Sequence, residues 1–251
     1  MPGILEICCT SYESALIAQQ EGANRIELCD NIFEGGTTPS AGMIKQVCDN
    51  LNIDCYILIR PRGNDFYYSK DEFEIMKSDI EYCKEAGVKG IVSGVLSENG
   101  NIDIERTREL VEISGTMDFT FHRAFDLVEN PEISLQDIIK TGAKRILTSG
   151  LQNNVVDGLA TIQKLLSWAK NDIKIMVGGG LNSNNIDDLI ERTGCQEYHT
   201  TAKNWVKSDA DFKSNVKLNG STDIPEDKRM VASADEVRLL REILNKNFSC
   251  V

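Results

Sequence analysis

Apolar and polar positions alternate in short runs along this chain, and each run gives way to a stretch with helical spacing. The runs cover residues 4–9, 25–30, 55–61, 90–96, 118–123, 145–150, 173–180 and 196–203. Helical stretches follow at 14–20, from near residue 40, and at 71–85, 104–113, 135–140, 159–170, 186–192 and 235–245. Local punctuation supports these bounds. Thr10 or Ser11 can cap the first helix, Gly22 and Gly87 stop helices, and Pro131 suits the entry to another. Eight strand–helix units predict an α/β fold: a single (β/α)8 barrel of the TIM type over residues 1–251, working at the C-terminal rim of its strands. The last helix is delayed by a polar, weakly patterned segment at 204–234. A lid over the rim, a contact between copies of the chain and plain disorder all fit it, with mobility the first expectation.

The phase of each strand assigns its side chains to faces. Leu5 and Ile7 belong against the helices, so Glu6 and Cys8 face the barrel interior and Cys9 faces out. The same alternation turns Glu27 and Cys29 inward, then Thr120 and His122, then Glu197 and His199; Arg60 closes the third strand in phase with Leu58. The interior therefore collects Glu6, Glu27, Arg60, His122, Glu197 and His199, with both histidines of the chain among them. Buried charge is costly unless it is paired or used. Two readings follow: an ionic network that fixes the register, or a site at the strand ends with the deeper Glu6 and Glu197 orienting it.

Several chemistries suit this set. A carboxylate and an imidazole in a water-poor pocket can exchange protons as general base and acid. Glu27 with His122 is the first such pair, and His199 adds a second imidazole. Arg60 and Arg62 suit a bidentate anion contact, or charge balance with Glu27 or Asp65. Gly178, Gly179 and Gly180 follow strand seven, where barrels often bind phosphate through backbone amides; Thr148, Ser149 and Lys203 could supplement that site. Three glycines can equally form a plain tight turn. Cys8 and Cys29 occupy matching places on adjacent strands, and two thiolates about 5 Å apart could hold a soft ion such as Cu(I). They are otherwise two small buried residues. Zinc is disfavoured because no Cys/His group has the spacing of a structural zinc site.

Composition narrows the partners. The formal net charge of −12 opposes nonspecific binding to nucleic acid or an anionic membrane, and no apolar run reaches the roughly 18 residues of a membrane span. No N-terminal secretory pattern is present. The eight cysteines include no C-x-x-C pair and fall mostly in strands and helices, as expected of reduced thiols in a cytoplasmic protein. Cys48, Cys83 and Cys250 read as helix or tail residues.

The motifs resemble one family closely. Leu5-Glu6-Ile7-Cys8, Arg25-Ile26-Glu27-Leu28-Cys29, Glu34-Gly35-Gly36-Thr37-Thr38-Pro39-Ser40 and Ile59-Arg60-Pro61-Arg62-Gly63 are similar to the CutC family, named for copper homeostasis. So are Phe66-Tyr67-Tyr68-Ser69, Thr120-Phe121-His122-Arg123-Ala124-Phe125-Asp126, Leu147-Thr148-Ser149-Gly150 and Gly178-Gly179-Gly180. The resemblance spans about residues 4–203. It departs at Ser93, where an aromatic is usual, and at Thr200-Thr201-Ala202-Lys203, where the ending is usually more serine-like. It implies a TIM-type barrel, a cytoplasmic location, a homodimer or homotetramer, and a role in copper handling, with the copper ion held by Cys8 and Cys29. The other function the residues support is an enzyme acting on a small anionic or phosphorylated metabolite through Glu27, His122 and His199.

Overall fold

Eight strands with apolar outer faces fold into a closed, all-parallel barrel in a computed structural model that describes residues 3–210, 216 and 224–248. In chain order they are β1 (Ile4–Cys9), β2 (Arg25–Leu28), β3 (Asp54–Leu58), β4 (Gly90–Ser93), β5 (Asp118–Phe121), β6 (Arg145–Thr148), β7 (Lys174–Gly178) and β8 (Glu197–Thr200). Each pairs with the next, and β8 closes on β1 with Glu6 opposite His199. The helices are α1 (Tyr12–Gln20), α2 (Ala41–Asn50), α3 (Lys70–Glu85), α4 (Ile104–Ser114), α5 (Pro131–Thr141), α6 (Leu159–Ala169), α7 (Ile186–Thr193) and α8 (Ala234–Phe248).

The main core lies between strands and helices. Ile7, Ile26, Leu28, Ile57 and Phe119 point out from the barrel and are buried with Ile44, Met76, Leu110 and Ile138 from the helices. Side chains cap several helix starts, and α5 begins at 131, four residues before the expected 135. Ser11 accepts from the Ser14 amide, and Ser69 forms a reciprocal box with Glu72. Pro131 occupies the first turn of α5 behind the Asn130 cap.

Two expectations need correction. Seven of the eight strands stop two or three residues before the expected runs end, and β1 fills its run. The segment 204–234 is not wholly irregular. Its ends form an antiparallel hairpin of β9 (Lys203–Lys207) and β10 (Lys228–Ala232), laid against α1. Ala232 donates to Ser14 Oγ at 3.1 Å, and Arg229 pairs with Glu13. A paired ribbon satisfies its backbone whatever its side-chain pattern, so the polar sequence hid it. Ala202 sits at φ 42 between β8 and β9, and Lys203 opens the hairpin instead of ending the eighth strand. Residues 211–215 and 217–223 of this segment, and Cys250, lie outside the described residues.

Candidate functional site

The barrel interior is built in two polar layers. In the lower one, Glu6 pairs with Arg25, Arg25 reaches Glu197 at 2.5 Å, and Arg145 reaches Glu197 at 2.8 Å. Both guanidiniums face the Tyr56 ring, at 5.2 and 5.4 Å from its centroid. Burial opposes charge on Glu6, yet Arg25 and then His199 outweigh it and hold the carboxyl down to about 2. Glu197 is lowered against the same opposition by Arg145 and Arg25. Arg25 and Arg145 were absent from the expected interior set. The signal was available, since Arg25 opens its strand two residues before Glu27 and shares its face.

The upper layer lines a cavity of about 780 Å³ at the C-terminal mouth, where Cys8, Glu27, Cys29, Arg60, His122 and His199 converge. The Cys8 and Cys29 sulfurs lie 3.4 Å apart. The strand register pairs Cys8 with Glu27, so the two cysteines are staggered by two positions, not matched. Cys29 stands one residue beyond β2, where its side chain still turns back to Cys8. Hydrogen bonding with Cys29, then burial, pushes the Cys8 thiol well above its usual value, so it is held protonated.

His199 joins the layers. Its Nδ1 meets Glu6 at 2.7 Å, and its Nε2 lies 3.4 Å from Glu27. Burial works against an imidazolium here, but the Glu6 hydrogen bond and the Glu27 and Glu6 charges prevail and raise its pKa. Burial raises Glu27, with His199 acting against it. One ligand atom each from Cys8, Glu27 and His199 fall within 4.8 Å of one another. The strands thus assemble a Cys/Glu/His group that spacing along the chain could not display. Glu27 is brought to His199 and not to His122: no hydrogen bond or ion pair joins Glu27 and His122 among the described residues.

His122 is a different imidazole. Its Nδ1 accepts from the Ala124 amide at 3.3 Å, which leaves the proton on Nε2, and that atom is buried without a partner. Burial, then the nearby Arg60 charge, lowers its pKa to about 3, so it is neutral at physiological pH. Gly94 makes room for it, because a Cβ there would lie 3.0 Å from the ring.

The expected anion groups divide. Arg60 is buried in the cavity wall, with its charge centre 4.7 Å from the Phe66 ring. Arg62 leaves the site and pairs with Glu72 at 2.6 Å and Asp65 at 3.1 Å. Thr148 and Ser149 do bind an anion, but it is the chain's own Asp126, which takes Thr148 Oγ1 at 2.5 Å and the Ser149 hydroxyl at 2.9 Å. Gly178 stays within β7, packed against His199, whereas Gly179 and Gly180 line the cavity. Lys203 and Asn204 form part of the mouth from β9, steadied by Trp205 stacked on Phe33 at 6.0 Å.

A family model described as the CutC family matches residues 3–204. The chain belongs to the CutC family. It is 42% identical over 246 residues to a CutC family protein of Chromobacterium violaceum, covering 98% of this chain and 100% of the relative. It is 40% identical over 241 residues to a protein of Homo sapiens named as a copper homeostasis protein CutC homolog, covering 96% of this chain and 88% of the relative. A crystal structure of a CutC protein from Streptococcus agalactiae superposes with a TM-score of 0.76 at 33% identity, over 79% of this chain and 98% of that one. Each of these relatives carries the CutC name, and the last shares the barrel. The family assignment therefore agrees with the motifs read from the sequence. No described helix is long and apolar enough to cross a membrane.

Proposed function

We propose that this CutC-family chain handles copper by holding Cu(I) between the sulfurs of Cys8 and Cys29 at the barrel mouth. The carrying observation is the buried thiol pair, 3.4 Å apart and open to the cavity. Thiolates are soft donors and favour Cu(I). His199 and Glu27 stand beside Cys8 as further donors, and Glu6 fixes the His199 ring from behind. Binding as thiolates would expel the thiol protons, so affinity should rise with pH. All seven described cysteines are free thiols, which suits a reducing compartment such as the cytoplasm. The homodimer or homotetramer implied by the family is part of the same reading, and light scattering of the purified chain checks it.

Competition with a Cu(I) chelator tests the proposal. The parent should retain copper where Cys8→Ser/Cys29→Ser gives it up, and equal retention by both would sink the reading. A parallel titration with Zn(II) asks whether the Cys8, Glu27 and His199 group prefers a divalent ion instead.

A further inference from the structure

Arg60 is a buried cation without an anion. It is 3% exposed, yet its partners are the backbone carbonyls of Glu34, Gly36 and Asn64, at 2.6 to 2.8 Å. No carboxylate among the described residues forms a salt bridge with it. Of the five N–H donors on a guanidinium, those three bonds leave Nε–H and one Nη2–H. The buried Nε has no partner. A buried charge with no counterion is expensive.

A second unmade donor lies in the same wall. His122 is 5% exposed, and its Nε2–H has no partner. Phe66 braces both groups, 4.7 Å from the Arg60 charge centre and 4.7 Å from the His122 ring. The buried Tyr68 hydroxyl lies beside Arg60 and is, among the described residues, the one side-chain polar group within its reach, though no hydrogen bond of good geometry joins them. The surrounding carbonyls hold Arg60 in place in the cavity wall.

The geometry points to a binding site for a small organic carboxylate, with Arg60 supplying the charge and the Arg60 and His122 N–H groups meeting its oxygens. A planar guanidinium edge matches the two oxygens of a carboxylate. A neutral imidazole donates without adding charge, as an electrophilic wall requires. The cavity, about 780 Å³, has the size of a metabolite site. Arg62 is excluded because Glu72 and Asp65 already occupy it. Neither Arg60 nor His122 belongs to the thiol group, although both groups line one cavity.

The test uses metal-free full-length protein and a panel of acetate, oxalate, malonate and pyruvate, with inorganic phosphate as a separate arm. The chain has two histidines, so the ring ¹⁵N–¹H spectrum holds two sets of signals. At least one carboxylate should move the His122 Nε2 resonance saturably. The same ligand should bind about tenfold more weakly or worse to Arg60→Lys and to His122→Phe, the loss expected for a charge-assisted hydrogen bond. Arg62→Gln should bind as the parent does. The spectrum of the parent keeps the test valid where a variant fails to fold. Absence of any carboxylate effect, an effect of phosphate alone, or parental affinity in His122→Phe would each overturn the assignment.

Discussion

The lower and upper polar layers of the barrel use the same residue types to opposite ends. Below, Glu6, Glu197, Arg25 and Arg145 consume one another's charge, and Glu197 Oε1 is the one buried atom of that group without a hydrogen bond, though Lys174 stands 3.3 Å from it. Above, Arg60 and His122 keep donors unmade, and two thiols face each other over a cavity. A saturated network costs little to maintain and specifies the register. An unsaturated one lowers stability and persists where something completes it. The contrast separates structural charge from available charge in two layers that His199 joins, 2.7 Å from Glu6.

Breaking the lower layer should have the largest effect. Arg25→Ala removes the cation shared by Glu6 and Glu197, leaving Glu6 with His199 and Glu197 with Arg145 and Lys174, and urea unfolding should show a loss of about 3–5 kcal/mol. A loss below about 1 kcal/mol would mean that the network is slack and the two layers differ less than their geometry indicates.

Acid should sharpen the comparison next. His122 titrates near 6.5 when free and near 3 when folded, with burial first and Arg60 second as the cause. The unfolded chain therefore binds this proton more readily, so its contribution is full above pH 6.5 and declines as pH falls toward 3. Glu6, held to about 2 against an ordinary 4.5, adds a second decline below 4.5. Thermal unfolding from pH 7 to 4 should show the first decline in the parent and a flatter profile in His122→Phe. Identical slopes would assign the acid sensitivity elsewhere.

Gly94→Ala comes third. Its Cβ would lie 2.9 Å from Phe121 and 3.0 Å from His122, so overpacking should cost about 1–3 kcal/mol and shift the His122 ring signals while leaving those of His199 in place. Equal movement of both rings would show that the layers are mechanically coupled. The smallest effect serves as a control outside both layers. Ser69→Ala removes one half of the α3 capping box and should cost about 1 kcal/mol without moving either imidazole signal.

Much of this was legible in the chain. Alternation placed Glu6, Cys8, Glu27, His122, Glu197 and His199 inside, and all are buried there. Arg25 and Arg145 were legible too but stood at strand starts, where a charged residue reads as a strand boundary. Arg62 could not be separated from Arg60 because both follow one strand, and only the positions of Glu72 and Asp65 divide them. The roles of Thr148 and Ser149 depended on Asp126, which lies 22 positions from Thr148 and arrives through the packing of neighbouring loops. The hairpin around β9 and β10 carried no periodic signal, since its pairing lies in the backbone.

By itself, then, the sequence determined the number of units, the faces of the strands and the family, because these depend on local periodicity and local motifs. Helices α1 and α5 begin two and four residues before their expected starts. Tertiary structure alone decided which charge met which. The barrel's stagger brought Cys8 to Cys29 across two register positions, handed Glu27 to His199, and left Arg60 Nε and His122 Nε2 without hydrogen-bond partners. Closure of a barrel sets distances between residues far apart in the chain, and those distances decide whether a buried charge is satisfied or available.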